Sequence, residues 1–290
     1  MESFFWKIKN RLLRNHKTIS NFKFEKHSFY IESFCLDNGS YNLGDTLAEP
    51  IIEFLLKKYN LKCKKFILPK HLLSVGSVIG IENFNATIWG SGLISQDMAK
   101  YMVLKKYPKY VKYDIRSVRG PLTKATMEKM GYNCPEVYGA PAIILPLIFN
   151  PCVKKKYEIS YIAHYNDKTK TNIKMHLINI QTKDYRQFIK EVKASKMIIS
   201  SSLHGIIIAE TYGVPCVWLK KPFLDEFKYH DWYMSTQRKI SNICCASTIK
   251  EALLIKVKKP PVKKIEKMRN EIINSFPYDL FIKNKKSKMK

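Results

Sequence analysis

Residues 195–219 read SKMIISSSLHGIIIAETYGVPCVWL. Two periodicities meet in this stretch at a polar hinge. Met197, Ile198 and Ile199 form an apolar run of strand length. From Leu203 to Thr211 the residues suit a helix, which Gly213 and Pro215 close. A second apolar run, Cys216 to Leu219, follows. Strand, helix, strand in so short a span predicts a parallel unit, because parallel strands need a crossover between them. At the hinge, Ser200, Ser201, Ser202, His204 and Gly205 stand where the strand ends and the helix begins.

The same alternation extends in both directions. HSFYIESFCL (27–36) predicts a strand, and NLGDTLAEPIIEFLLKKYN (42–60) a turn and a helix. That helix carries Ile51, Phe54, Leu55 and Tyr59 on one face. KKFIL (64–68), LLSVGSVIG (72–80), NATIWGSGLI (85–94) and MVLKKYPK (102–109) read as strands or strand-turns. DIRSVRGPLTKATMEKMGY (114–132) is a strand end and a helix with Pro121 in its first turn, where proline fits. NPCVKKK (150–156) breaks the pattern. YEISYIAHYN (157–166) then restarts it with a strand, and INIQTKDYRQFIKEVKAS (178–195) adds a short strand and a helix. EFKYHDWYMST (226–236) reads as a polar loop with aromatic anchors. A Pro-Pro linker and an amphipathic helix (255–276) precede a basic tail (283–290).

The expected class is α/β, with two Rossmann-like domains whose parallel sheets face a cleft, a GT-B-like arrangement. The expected boundaries are a basic amphipathic segment at 1–20, domains at 21–150 and 151–260, and a C-terminal helix and tail at 261–290. A chain of 290 residues, at about 100–200 residues per domain, accommodates this.

Lysine and arginine total 51 against 24 acids, a formal charge of +27. The excess favours an anionic partner, although low-GC genomes also inflate lysine. The basic residues are spread along the chain rather than clustered with aromatics, which argues against nucleic acid. Seven scattered cysteines without CxxC point to free thiols in a reducing compartment. No apolar run reaches transmembrane length, and no signal peptide is read. Phe4, Phe5, Trp6, Ile8 and Leu12 interleave with Lys7, Lys9, Arg11, Arg14 and Lys17. As a helix this is an interfacial anchor for anionic lipid or an ordinary terminal helix. The expected location is cytoplasmic, peripheral on the inner face of the membrane.

In open α/β sheets ligands bind beyond the carboxyl ends of the strands, so polar residues there are the candidates. Asn42 and Asp45 in NLGD either cap a helix or face a ligand. Gly90 and Ser91 in WGSGL either let backbone approach a ligand or form a strand-end turn. Arg119, before Gly120-Pro121, adds a bidentate donor to an anion-friendly helix mouth, or is a surface arginine. His204 exchanges protons near neutral pH, or is structural. Ser201, Ser202 and the helix N–H groups suit an anion. His164 ends another predicted strand, and Lys228 and Asp231 crowd the 226–236 segment. GxSxG is absent, which disfavours a serine hydrolase.

In this order NLGD, WGSGL, SVRGPLTK, GAPAIILP, ASKMIISSSLHGIIIAETYGVPCVWL and KYHDWYMST resemble the polysaccharide pyruvyl transferase family, in its branch modifying bacterial exopolysaccharides. The resemblance runs from about Tyr30 to Ser235. It implies transfer of a pyruvyl group from phosphoenolpyruvate to a sugar of a glycan or lipid-linked oligosaccharide, forming a ketal. No cofactor or metal is implied. It places His204 as general acid/base and Arg119 as donor clamp. Ser201, Ser202, Gly205 and Lys228 join it around the donor, and Asn42, Asp45, Gly90, Ser91, His164 and Asp231 line the acceptor side. Several members carry arginine where this chain has Ser202, leaving Lys228 or Lys220 to supply the charge. Many read Gly-Asp-Pro where it has Gly139-Ala140-Pro141. The runner-up is a glycosyltransferase of the same shape with a nucleotide-sugar donor, which needs a carboxylate for the ribose; Glu210 sits within the helix.

Overall fold

The computed structural model describes residues 16–19, 29–34, 42–63, 70–81, 84–169 and 172–283. The basic segment up to residue 15, the strand expected at 64–68 and the tail beyond Lys283 lie outside the described residues. Two five-stranded sheets organise the chain. The first contains β1 (His16–Ile19), β2 (Phe29–Phe34), β4 (Lys70–Leu73), β5 (Ala86–Trp89) and β6 (Tyr113–Ser117), in that order. His16 and Lys17, read from sequence as the end of a helix, stand in β1, which pairs with β2 antiparallel. The other pairs are parallel. Among the described residues these strands keep chain order, without the reversal that a Rossmann order carries.

The second sheet is parallel throughout. It holds β7 (Tyr157–Ile162), β8 (His176–Leu177), β9 (Ser195–Ser200), β10 (Cys216–Leu219) and β11 (Cys245–Ala246), in the order β11-β10-β9-β7-β8. The chain leaves β7 for β8 on one side and returns to β9 on the other. That reversal is a topological switch point, the place where open parallel sheets bind ligands. It lies at the carboxyl ends of β7 and β9, and the serine-histidine hinge follows β9 directly. The short strand expected at 178–181 is instead the two-residue β8 just before it.

Eleven helices accompany the sheets among the described residues. They are α1 (Leu43–Thr46), α2 (Ala48–Lys58), α3 (Gln96–Leu104), α4 (Tyr107–Tyr110), α5 (Pro121–Lys129), α6 (Leu145–Ile148), α7 (Tyr185–Ala194), α8 (Leu203–Thr211), α9 (Phe227–Ser235), α10 (Ile249–Leu254) and α11 (Val262–Asn274). All nine residues of α8 are buried. A helix enclosed on every side reads as apolar all round, as Ile206, Ile207 and Ile208 do. Gly205 lets it close on the sheet: a Cβ there would lie 2.5 Å from Ser200 Oγ and 2.8 Å from Ile162 Cγ2.

Two segments differ from expectation. Residues 102–109 are not a strand but the end of α3 and most of α4. Ser95 Oγ accepts from Met98 N at 3.1 Å, and Met98, Ala99 and Met102 bury one helical face. Residues 226–236 are α9 rather than a loop. Tyr229, Trp232 and Tyr233 recur at helical spacing into the core, a period masked by the charged residues between them.

The C-terminal segment returns to the first half. Trp89 Nε1 donates to Ile272 O at 2.9 Å and Arg269 Nε to Ile143 O at 2.6 Å. Beyond α11, β12 (Phe281–Lys283) pairs antiparallel with β3 (Leu61–Cys63). One core cluster therefore joins Ile31, Leu72 and Trp89 of the first sheet to Ile162, Ile198 and Trp218 of the second, with Ile272 and Phe276 between. Ile272→Ala opens a cavity at this junction. It is expected to cost about 2–5 kcal/mol in urea unfolding, with probes in both halves lost in one transition.

Candidate active site

The loops at the carboxyl ends of the two sheets meet. From the first sheet come the turns holding Asn42–Asp45, Gly76–Ser77, Gly90–Leu93 and Arg119. From the second come His164, Ser201–His204 and Lys220, with α9 closing one side. Across the boundary, Leu43 N donates to Ile180 O at 2.8 Å.

His204, in the first turn of α8, lays its imidazole on the backbone of Gly44. A Cβ at residue 44 would lie 1.8 Å from His204 Nδ1, so only glycine leaves room for the ring. Burial, then the charges of Lys228 and Arg119, push the His204 pKa down to about 3. The ring is thus neutral at neutral pH and able to accept a proton. Among the described residues, neither of its ring nitrogens is held in a hydrogen bond.

Two titratable groups sit beside it. Asp45 is buried, and burial raises its pKa to about 7, opposed by the hydrogen bond from Asn42 Nδ2 (2.7 Å) and by Lys228. Asp45 does not cap a helix: α2 starts after Leu47 with no side-chain cap. Lys228 on α9 is half-buried, and burial, then Arg119, lower its pKa to about 8 while Asp45 raises it. Among the described residues it forms no ion pair. Lys220 by contrast pairs with Glu226 at 3.0 Å, and Lys221 Nζ lies 3.5 Å from Asp167.

Arg119 is buried, and each of its three nitrogens donates one hydrogen bond. Its Nε donates to Asp231 Oδ2 (3.0 Å), Nη1 to Ser77 Oγ (2.6 Å) and Nη2 to Leu93 O (2.6 Å). Gly92 lies beneath the guanidinium, where a Cβ would come within 2.5 Å of Cζ. Asp231 Oδ1 accepts from Leu122 N (2.9 Å) and Thr123 N (3.0 Å), and Oδ2 from Thr123 Oγ1 (2.7 Å). The mouth of α5 is thus filled by a carboxylate reaching over from α9.

A family model for polysaccharide pyruvyl transferase matches residues 2–220, a span that includes every loop just described except α9. The chain belongs to the polysaccharide pyruvyl transferase family. This is a transferase family, and pyruvyl transfer on polysaccharide is its activity at family level. The chain is 28% identical over 223 residues to an uncharacterized protein of Acanthamoeba polyphaga mimivirus, covering 71% of this chain and 74% of that one. It is 26% identical over 206 residues to the succinoglycan biosynthesis protein ExoV of Rhizobium meliloti (strain 1021), covering 66% of this chain and 60% of ExoV. A crystal structure of an uncharacterized Klebsiella pneumoniae protein aligns with TM-score 0.47 at 11% identity, over 85% of this chain and 98% of that one.

In this pyruvyl transferase family member the structure gathers His204, Lys228, Asp45, Asn42 and His164 at one place. Burial, Lys228 and His204 depress the His164 pKa to about 3, against the pull of Asp167. The Ser200 and Ser201 hydroxyls are spent within the protein. Ser200 Oγ accepts from Ser202 N at 3.0 Å, and Ser201 Oγ donates to Asp167 Oδ2 at 2.6 Å. Ser202 Oγ accepts from Gly205 N at 3.4 Å as the α8 cap. Gly90 has a positive φ of 78° and packs against Pro141; Ser91 Oγ donates to Gly76 O (3.0 Å) and accepts from Val78 N (3.3 Å), joining two loops. Ala140 lies in the apolar core. Glu210 is held by Arg238 at 2.6 and 2.7 Å and by Trp232 Nε1 at 2.8 Å, which leaves no carboxylate there for a ribose. Sequence reasoning missed Gly44, whose role is to leave space, and Asp167, whose Asx-turn context in HYNDKT was its one signal.

Asp231→Ala leaves Arg119 buried without its counterion and is expected to cost about 3–5 kcal/mol in urea unfolding. The pH dependence has two signs. The stability contributed by neutral His164 and His204 is present above pH 6.5 and is lost as pH falls from 6.5 towards 3. Asp45, with its pKa raised, contributes most below pH 3.8 and loses that contribution as pH rises towards 7. Stability curves of His164→Gln and Asp45→Asn should flatten in those respective windows.

Proposed function

We propose that this protein transfers the pyruvyl group of phosphoenolpyruvate to two hydroxyls of one sugar, in a cell-surface polysaccharide or its lipid-linked precursor, releasing phosphate and forming a ketal. The observation carrying this reading is His204: a buried imidazole, free of hydrogen bonds among the described residues, beside Lys228 and Asp45 where both sheets' carboxyl ends converge. In this reading residues 21–150 and 151–260 act as two α/β domains facing one GT-B-like cleft, with the enzyme cytoplasmic and peripheral at the membrane.

The donor carries a phosphate and a carboxylate. Lys228, a cation of the site with no ion pair among the described residues, binds that charge and supplies the cation that Ser202 does not. The Arg119–Asp231 pair holds the two halves around the donor. Asp45, protonated to a large extent near pH 7, delivers a proton to the enol carbon, and C2 becomes the electrophile. Neutral His204 takes the proton of the attacking hydroxyl as the first C2–O bond forms. The C2–O bond to phosphate then breaks, the second hydroxyl closes the ketal, and its proton leaves with the phosphate. The bound anion raises the His204 and Lys228 pKa values by charge attraction, which favours the proton uptake.

Phosphoenolpyruvate is expected to raise the melting temperature, and Lys228→Met to weaken its binding about tenfold or more, a lost charge-assisted contact of ~1.4 kcal/mol or above. A shift with UDP-sugars and none with phosphoenolpyruvate would instead establish the glycosyltransferase reading. Once an acceptor is in hand, His204→Gln should lower the rate of phosphate release roughly 10²–10⁴-fold.

A further inference from the structure

The turn after β7 carries a buried carboxylate that the reaction above does not use. Asp167 N donates to His164 O at 2.7 Å, closing the turn 164–167. Within it, Asn166 N donates to His164 Nδ1 at 3.2 Å. A backbone N–H can only donate, so Nδ1 is the acceptor and the proton of the neutral ring sits on Nε2.

One carboxylate anchors this turn. Ser201 Oγ accepts from His164 N at 2.9 Å and hands its own hydrogen to Asp167 Oδ2 at 2.6 Å. The Tyr161 phenol donates to the same oxygen. Oδ1 accepts from Thr169 N at 2.9 Å and Thr169 Oγ1 at 2.5 Å, and Lys221 Nζ stands 3.5 Å from Oδ2. The Asp167 side chain is 1% exposed. Burial pushes its pKa up, but the hydrogen bonds from Ser201, Thr169 and Tyr161 win and hold it near 2. Its acceptor sites are taken by the protein, so it has none to offer a substrate. Its negative charge raises the proton affinity of His164, which burial and Lys228 lower.

We propose that Asp167 is a positioning residue which, through Ser201, locks the 164–167 turn and so presents His164 as a neutral ring offering its Nε2–H to an oxyanion of the donor. The donor half of this statement rests on the reading under Proposed function; the positioning half does not. A neutral imidazole held this way gives directional recognition without adding positive charge next to Lys228, where a second cation would lower the lysine's own proton affinity.

The test is a long-range ¹H–¹⁵N correlation on the full chain labelled at histidine, without ligand, at pH 7.5. His164 should show the pure Nε2–H pattern. Asp167→Asn and Ser201→Ala should each turn it into a mixture of tautomers, while Lys221→Met should leave it unchanged. Phosphoenolpyruvate affinity by calorimetry should fall about tenfold in the first two variants, with kcat changing less than KM. Retention of the pure Nε2–H pattern in both variants overturns the positioning role. A changed tautomer with unchanged affinity overturns the assignment to the donor. If Asp167→Asn does not fold, Ser201→Ala, which removes only the bridging hydroxyl, decides. Failure of the wild-type chain to bind phosphoenolpyruvate rejects the functional reading, and the ligand-free tautomer result still judges Asp167.

Discussion

The buried pair of Arg119 and Asp231 is the constraint on which the molecule is arranged. The arginine follows β6 in the first sheet and the aspartate lies on α9 beside the second. Removing either charge from water is costly, and their attraction compensates only when every remaining donor and acceptor is also satisfied. The Asp231 oxygens are filled by Arg119, Thr123 and the N-terminal N–H groups of α5, and three of the five Arg119 N–H groups go to Asp231, Ser77 and Leu93. The partners come from separate parts of the chain, so this network fixes three loops and α9 at once. Gly120 and Gly92 follow from the same demand, since a side chain at either would collide with Asp231 or Arg119.

With those anions and cations matched internally, the site's free charge is concentrated on few groups. Lys228 keeps its charge close to the core and depresses both neighbouring histidines. Asp45 is held between burial, which favours its neutral form, and Lys228, which favours its ionised form. Neutral imidazoles, a carboxyl poised near neutrality and one ammonium without an ion pair among the described residues form a set whose proton affinities all rise when an anion enters. Such a site responds to an anionic ligand by taking up protons.

Much of this was legible in the chain. Strand, helix and strand around Ser200–Leu219 lie in the expected places, because short apolar runs and helical spacing are local properties. The alternation of elements conveyed parallel sheets, and the carboxyl-end rule directed attention to Asn42, Asp45, His164 and His204. Two segments misled for a local reason as well: in α4 and α9 lysine, histidine and aspartate interrupt the apolar period, so pattern alone missed the helices. Their burial is imposed by neighbours distant in sequence.

The sequence by itself determined the family and most of the elements, since these depend on residue types at fixed short spacings. Only the tertiary structure decided which polar residues are already partnered within the protein. Arg119 and Ser201 have the chemistry to bind an anion and Asp231 to accept from a hydroxyl, yet each is tied to partners 26 to 112 positions away. Lys228 forms no ion pair among the described residues, and Gly44 makes room for His204 from 160 positions upstream. Hydrogen-bond capacity is finite and is consumed by whichever partner the fold brings nearest, a distance that local sequence does not encode.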